Sequence, residues 1–150
     1  MSGFFKRIGG WGLAVITTII LAIIFQSQNV IARLNNIGAE VALPERLSMT
    51  AYDLQHLGSL YGLFIAIALA IAFLVGGAVF HVAKIGRPLI YITAGAAAMV
   101  VMLFAMKEVF FDMHLIAGAR DGLGIGLQML AGALGGLVFA KTSPAPKSRI

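Results

Sequence analysis

Four apolar runs, none interrupted by a charged side chain, decide what this chain can fold into. They cover residues 8–25, 58–80, 89–106 and 123–140 and are 18, 23, 18 and 18 residues long. About 17–25 helical residues cross the hydrocarbon core of a bilayer. Only helices and closed barrels satisfy every backbone amide there, and continuous runs of this length are helices. The expected fold is all-α: an integral membrane protein of four transmembrane helices in an antiparallel bundle, one membrane domain over 1–150. Composition agrees, with 60% hydrophobic and 11% charged residues and a mean hydropathy of +0.97. A soluble domain carries about 25% charged residues. The chain has no cysteine, which excludes disulfides, thiolate metal ligation and thiol redox chemistry.

The fourth run sits in the stretch GARDGLGIGLQMLAGALGGLVFA, residues 118–140, which holds seven of the 18 glycines. In water each interior glycine costs a helix roughly 1 kcal/mol relative to alanine. In hydrocarbon the unpaired amide is the costlier alternative, so the segment is helical and its glycines let a neighbouring helix approach closely. Projected at helical spacing, Gly122, Gly126, Gly132 and Gly136 fall on one small-residue face. Gly124, Gln128, Ala131 and Gly135 fall on a second, with leucines on a ridge beside the first. Two such faces imply two close neighbours. A bundle of four spans is expected to satisfy one internally and leave the other for association. In the second run Gly58, Gly62, Ala66 and Ala70 recur every four residues, a further packing face of the small-xxx-small kind.

Lys6 and Arg7 precede the first run as in a signal peptide, but a signal's apolar core is about 7–15 residues and ends in small residues. This run is longer and ends in Phe25-Gln26-Ser27-Gln28, so it is expected to be an uncleaved span. Phe4, Phe5 and Trp11 form an aromatic anchor at its interface. In the connection over 26–57, Val30, Ile31, Leu34, Ile37 and Val41 recur at helical spacing, which predicts a short interfacial helix over 29–41 ended by Pro44. Thr50 and Asp53 then have the form of a capping box, placing the start of the next helix near Ser48. The turn over 81–88 is short enough for a tight hairpin. The tail 141–150, with two prolines, three basic residues and no apolar periodicity, is expected to be disordered.

Charge sets the expected orientation. The N-terminus, the 81–88 turn and the tail carry Lys6, Arg7, Lys84, Arg87, Lys141, Lys147 and Arg149 and no acid. The other side carries Arg33, Arg46, Lys107 and Arg120 with all six acids, Glu40, Glu45, Asp53, Glu108, Asp112 and Asp121. Cytoplasmic loops are enriched in Lys and Arg, so both termini are expected in the cytoplasm of a bacterial-type inner membrane. The net charge of +5 then needs anionic lipid rather than nucleic acid as its partner.

The residues that could carry chemistry are few. Asp53, His56, Glu108, Asp112 and His114, with Asp121 nearby, lie on the acidic side and offer oxygen and imidazole donors for a metal ion; the competing reading is solvated loop residues and helix caps, and it comes first. His56 and His81 stand 25 residues apart on one span, roughly 37 Å at 1.5 Å per residue, and cannot share a haem. Gln128 is the one strongly polar side chain deep in a span, expected to bond across helices, with a pore or substrate contact as the alternative. No ionisable group lies inside the membrane, where a carrier or proton path normally keeps one. No cofactor is expected. The first expectation for function is an accessory or structural subunit of a larger membrane complex, or a homo-oligomer, held by Gly/Ala-rich packing. The second is a small channel or carrier lined by Gly124, Gln128 and Thr93. The third is a membrane subunit binding a metal or redox cofactor through the acid–histidine set.

Overall fold

The computed structural model describes residues 2–83, 86–109 and 121–144. It contains four long helices: α1 (Ser2–Asn36), α2 (Leu43–Ala83), α3 (Arg87–Val109) and α4 (Gly122–Thr142). Each is long and apolar enough to cross a membrane. Helix α1 packs on α2, α2 on α3, α3 on α4, and α4 back on α1. Sequence neighbours are therefore spatial neighbours, and the ring closes as an up-and-down bundle. The start of α1, the end of α2, the start of α3 and the end of α4 lie at one end (the termini end), and the end of α1, the start of α2, the end of α3 and the start of α4 at the other (the distal end).

Both α1 and α2 outrun the bilayer. At 1.5 Å per residue they are about 52 Å and 62 Å long, against a hydrocarbon core of about 30 Å. The expected separate interfacial helix over 29–41 is not a separate element: α1 runs unbroken through Gln26–Asn29 and stops at Asn36. Two of the polar residues beyond the apolar run, Ser27 and Asn29, find partners outside α1. Ser27 Oγ donates to Asp53 Oδ2 on α2 at 2.7 Å, and Asn29 Nδ2 donates to Asp121 Oδ1 at 3.4 Å. The helix ends in a Schellman turn, with Gly38 N–H donating to Asn35 O at 3.1 Å and Ala39 N–H to Leu34 O at 3.0 Å. Gly38 has φ +85°, the left-handed conformation that this cap requires and that glycine adopts without Cβ strain.

The start of α2 also differs from the sequence expectation. Pro44 does not end a helix; it occupies the first turn of α2, where its missing N–H is not needed. Ala42 N–H donates to Glu45 Oε2 at 3.3 Å, so Glu45, not Asp53, closes back on the helix start. Thr50 Oγ1 donates to Arg46 O at 2.9 Å, a bond back into its own helix rather than a cap.

The bundle axis is filled by one row from α2, Tyr61, Ile65, Leu69 and Phe73, meeting Ala14, Ala22 and Ile23 of α1, Met99 and Met102 of α3 and Ala131 of α4. On α2 the flanking small residues divide between neighbours. Gly58 and Gly62 face Ile23 and Ile19 of α1, and Gly76 faces Tyr91 and Ala94 of α3. The large aliphatic side chains left exposed, including Ile16, Ile20, Leu63, Ile67, Ile71 and Leu74, face where lipid would be. Helix α4 is the most enclosed span, with 44% of its apolar window buried against 22% for α2.

Candidate functional site

The glycines of α4 bring backbone against backbone on two sides. A methyl group on Gly132 would run into the carbonyl oxygen of Gly95 on α3, and one on Gly136 into the carbonyl oxygen of Tyr91. On the other side, a methyl group on Gly135 would strike Thr18 Oγ1 and stand 3.1 Å from Ala14 O, both on α1. The partner surface on α1 is a row of buried small residues, Gly10, Ala14, Thr18 and Ala22. Thr18 Oγ1 keeps its own hydroxyl satisfied by donating to Ala14 O at 2.8 Å. Each small face of α4 thus has a neighbour within the chain, the second through Gly135 against α1 and the first through Gly132 and Gly136 against α3, where the expectation was that one whole face would remain for association. The row on α1 and Gly95 on α3 carry these contacts. Their signal was present in the sequence as the spacing Gly10-x3-Ala14-x3-Thr18-x3-Ala22 and as a lone glycine in a run of alanines.

The remaining expected packing residues divide. Gly122 and Gly126, toward the distal end of α4, meet nothing within 4 Å. A methyl group on Gly62 would come within 2.9 Å of the flexible end of Ile19, and one on Gly58 would sit 3.8 Å from Ile23. Ala66 packs against the core from the α2 side, and Ala70 is half-buried beside the termini-end cavity.

Gln128 lies on the bundle axis, 1% exposed. Tyr61 on α2 donates its hydroxyl to Gln128 Oε1 at 2.8 Å, and Gln128 Nε2 donates to Ala22 O on α1 at 3.0 Å. One amide therefore joins three helices, including the diagonal pair α2 and α4. Thr93 is on a different surface. Its hydroxyl donates to Leu89 O and Ile90 O of its own helix, both at 2.9 Å, and it opens on a groove between α2 and α3. Gly124, Gln128 and Thr93 therefore do not line one lumen within the single chain.

At the distal end, Asp121 caps α4. Its Oδ1 accepts from Gly124 N–H at 2.9 Å, and its Oδ2 pairs with Arg33 of α1 at 2.6 Å. The Gly124 N–H, then the Asn29 amide and the Arg33 charge, hold the Asp121 carboxyl below its ordinary value. Of the acid–histidine set, Asp53 accepts from Ser27, and His56 is exposed, stacked on Tyr52 with ring centroids 3.9 Å apart, its Nδ1 at 3.0 Å from Tyr52 O. Glu108 is exposed near the end of α3. Asp112 and His114 lie outside the described residues. Among the described residues no three His, Asp or Glu side chains are grouped to hold a metal ion.

At the termini end, Arg87 ties the start of α3 to the end of α4. Its Nη2 donates to Ser143 Oγ at 2.6 Å and to Pro144 O at 3.1 Å. This sets a cation against the carbonyl end of the α4 dipole. The guanidinium also stands 5.4 Å from the Tyr91 ring centroid. Below it, Phe73, Tyr91 and Phe139 form an aromatic cluster from three helices, with Phe73 stacked on Phe139 at 4.3 Å and Tyr91 edge-on to both. No family model, curated protein or solved structure matches the chain.

Proposed function

We propose that this small multi-pass membrane protein works by association, as an accessory or structural subunit of a larger membrane complex or as a homo-oligomer. The observation that carries the reading is the α1–α2 projection. Beyond the apolar runs, α1 continues over residues 26–36 and α2 begins at Leu43, extensions of about 16 Å and 22 Å at 1.5 Å per residue. Ile37 in the turn between them, and Leu43 and Leu47 on α2, are 79%, 70% and 66% exposed. Clustered exposed apolar side chains beyond the spans mark a contact surface. The glycines of α4 then serve the rigidity of the bundle that presents this projection, and association runs through other surfaces. The charge balance supports termini in the cytoplasm. Lys6, Arg7, Arg87 and Lys141 all lie at the termini end, as the positive-inside rule requires.

The test is native mass measurement of the protein drawn from its own membrane in nanodiscs. The expected result is an assembly larger than one chain that reverts to one chain in the variant carrying Leu43→Asp and Leu47→Asp, with helix content kept. Wild type emerging as a lone chain would overturn the reading.

A further inference from the structure

At the termini end a cavity of about 550 Å³ lies between α1 and α2. Its volume falls in the range of about 300–1,000 Å³ typical of small-ligand sites. The aromatic cluster of Phe73, Tyr91 and Phe139 forms its inner wall, and Trp11 lines it from α1. Arg7 and His81 are its two basic side chains, and both are exposed. The outer edge is made by Phe4, Ile8 and Leu74, which are 66%, 47% and 76% exposed. The cavity therefore has an apolar body that opens sideways, where the hydrocarbon of a bilayer would lie, and a cationic rim at the end of the span.

We infer that this cavity is a binding site for one anionic glycerophospholipid of the surrounding bilayer. An acyl chain lies against the aromatic wall, and the headgroup phosphate is held by Arg7 and His81. Charge complementarity selects the occupant. Arg7 has Lys6 beside it, Arg87 and Lys141 share this end, and no Asp or Glu lies among the described residues there. A guanidinium is always charged and presents paired donors that match two phosphate oxygens. A soluble anion would use the rim and leave the apolar body empty, whereas a phospholipid fills both. The site is independent of any partner at the distal projection, so it is testable on the single chain.

Trp11 is the only tryptophan and lines the cavity, so it reports occupancy directly. The full chain is reconstituted in phosphatidylcholine vesicles, and its fluorescence is quenched by lipids brominated on their acyl chains. Brominated phosphatidylglycerol is expected to quench with an apparent affinity about fivefold above brominated phosphatidylcholine, the factor equivalent to one basic side chain near an anionic surface. Arg7→Gln is expected to bring that ratio to about one. Ala78→Phe fills the cavity from an exposed position on α2 and is expected to abolish the preference while Arg7 is still present. Equal quenching by the two lipids in wild type overturns the assignment. A preference that survives Ala78→Phe also overturns it, because it then reflects surface charge alone. Loss of the preference in inorganic phosphate, but not in chloride of equal ionic strength, would assign the rim to a soluble anion and overturn the lipid.

Discussion

Replacing Gly132 by alanine puts one methyl group where the structure has none to spare. Its Cβ would meet the Gly95 carbonyl oxygen on α3 and stand 2.8 Å from the Gly95 carbonyl carbon and 2.5 Å from Met99 Cγ. Met99 can turn aside, but a backbone carbonyl cannot, so α3 and α4 must separate by about 1 Å. A gap of that size forfeits roughly a quarter to a half of each contact's well. Over about 40–60 atom pairs at about 0.1–0.2 kcal/mol each, the loss is roughly 1–6 kcal/mol. Measured overpacking generally costs about 1–3 kcal/mol. The opposing gain is the helix propensity of alanine over glycine, about 1 kcal/mol in water and less where hydrocarbon already enforces the helix. A net destabilisation of about 1–3 kcal/mol is expected for Gly132→Ala, and likewise for Gly136→Ala, whose methyl would meet the Tyr91 carbonyl. Gly126→Ala is the control on the same helix, since nothing lies within 4 Å of its Cβ; it is expected to be neutral or slightly stabilising. Unfolding in mixed micelles of increasing sodium dodecyl sulfate, followed by circular dichroism, orders the three variants. Equal midpoints for Gly126→Ala, Gly132→Ala and Gly136→Ala would refute the reasoning.

Gln128→Leu removes both bonds that tie α4 to Tyr61 and Ala22 and leaves the Tyr61 hydroxyl without its acceptor. It is expected to cost about 0.6–1.7 kcal/mol, the range for hydrogen bonds between membrane helices, in the same micelle titration, and no change would remove Gln128 from the account. Gly38→Ala meets no neighbour within 4 Å and so tests backbone conformation alone. Holding a non-glycine residue at left-handed φ costs roughly 1–2 kcal/mol, read as faster amide exchange at Ala39, whose N–H closes the α1 cap. The Asp121 carboxyl is held below its ordinary value of 3.8, so its contribution is fully present above that value. It is lost as pH falls through the lower folded value. Exchange of the Gly124 amide is therefore expected to rise below about pH 4 relative to Asp121→Asn, which cannot titrate; identical profiles would show that the cap charge plays no part.

The four spans were legible because hydrocarbon leaves a long uncharged apolar run no option but a helix. The helix ends were less so, for a reason visible in Ser27 and Asn29. A polar residue reads as the end of a span when taken alone, but here it continues the helix because Asp53 and Asp121 arrive from 26 and 92 residues away to bond it. Asn35-Asn36-Ile37-Gly38 did carry a local stop signal, a glycine just past a helix end, and Pro44 with Glu45 a local start signal. The rule that proline terminates helices obscured the second of these. Periodicity sorted α4 into faces but could not say what met them. Gly126 and Gly132 look alike in sequence, yet one is open and the other touches the Gly95 backbone, a distinction set by where α3 crosses. The termini-end cavity left almost no trace in the sequence, because its wall is drawn from α2, α3 and α4 and its rim from α1 and α2.

Helix α4 is clasped by α1 and α3 of its own chain. The absence of native cysteine makes that directly measurable. In the variant with Gly10→Cys and Ser143→Cys the new sulfurs start from adjacent positions on α1 and at the end of α4, where a Cβ built at Gly10 lies 3.0 Å from Ser143 Cβ. That is about half an ångström inside the roughly 3.5–4.5 Å that separates the two Cβ atoms of a disulfide. On oxidation in the membrane, a crosslink within one chain is expected, and mixed membranes of the two single-cysteine chains are expected to give no crosslinked dimer. A crosslink that forms only between chains would contradict the account.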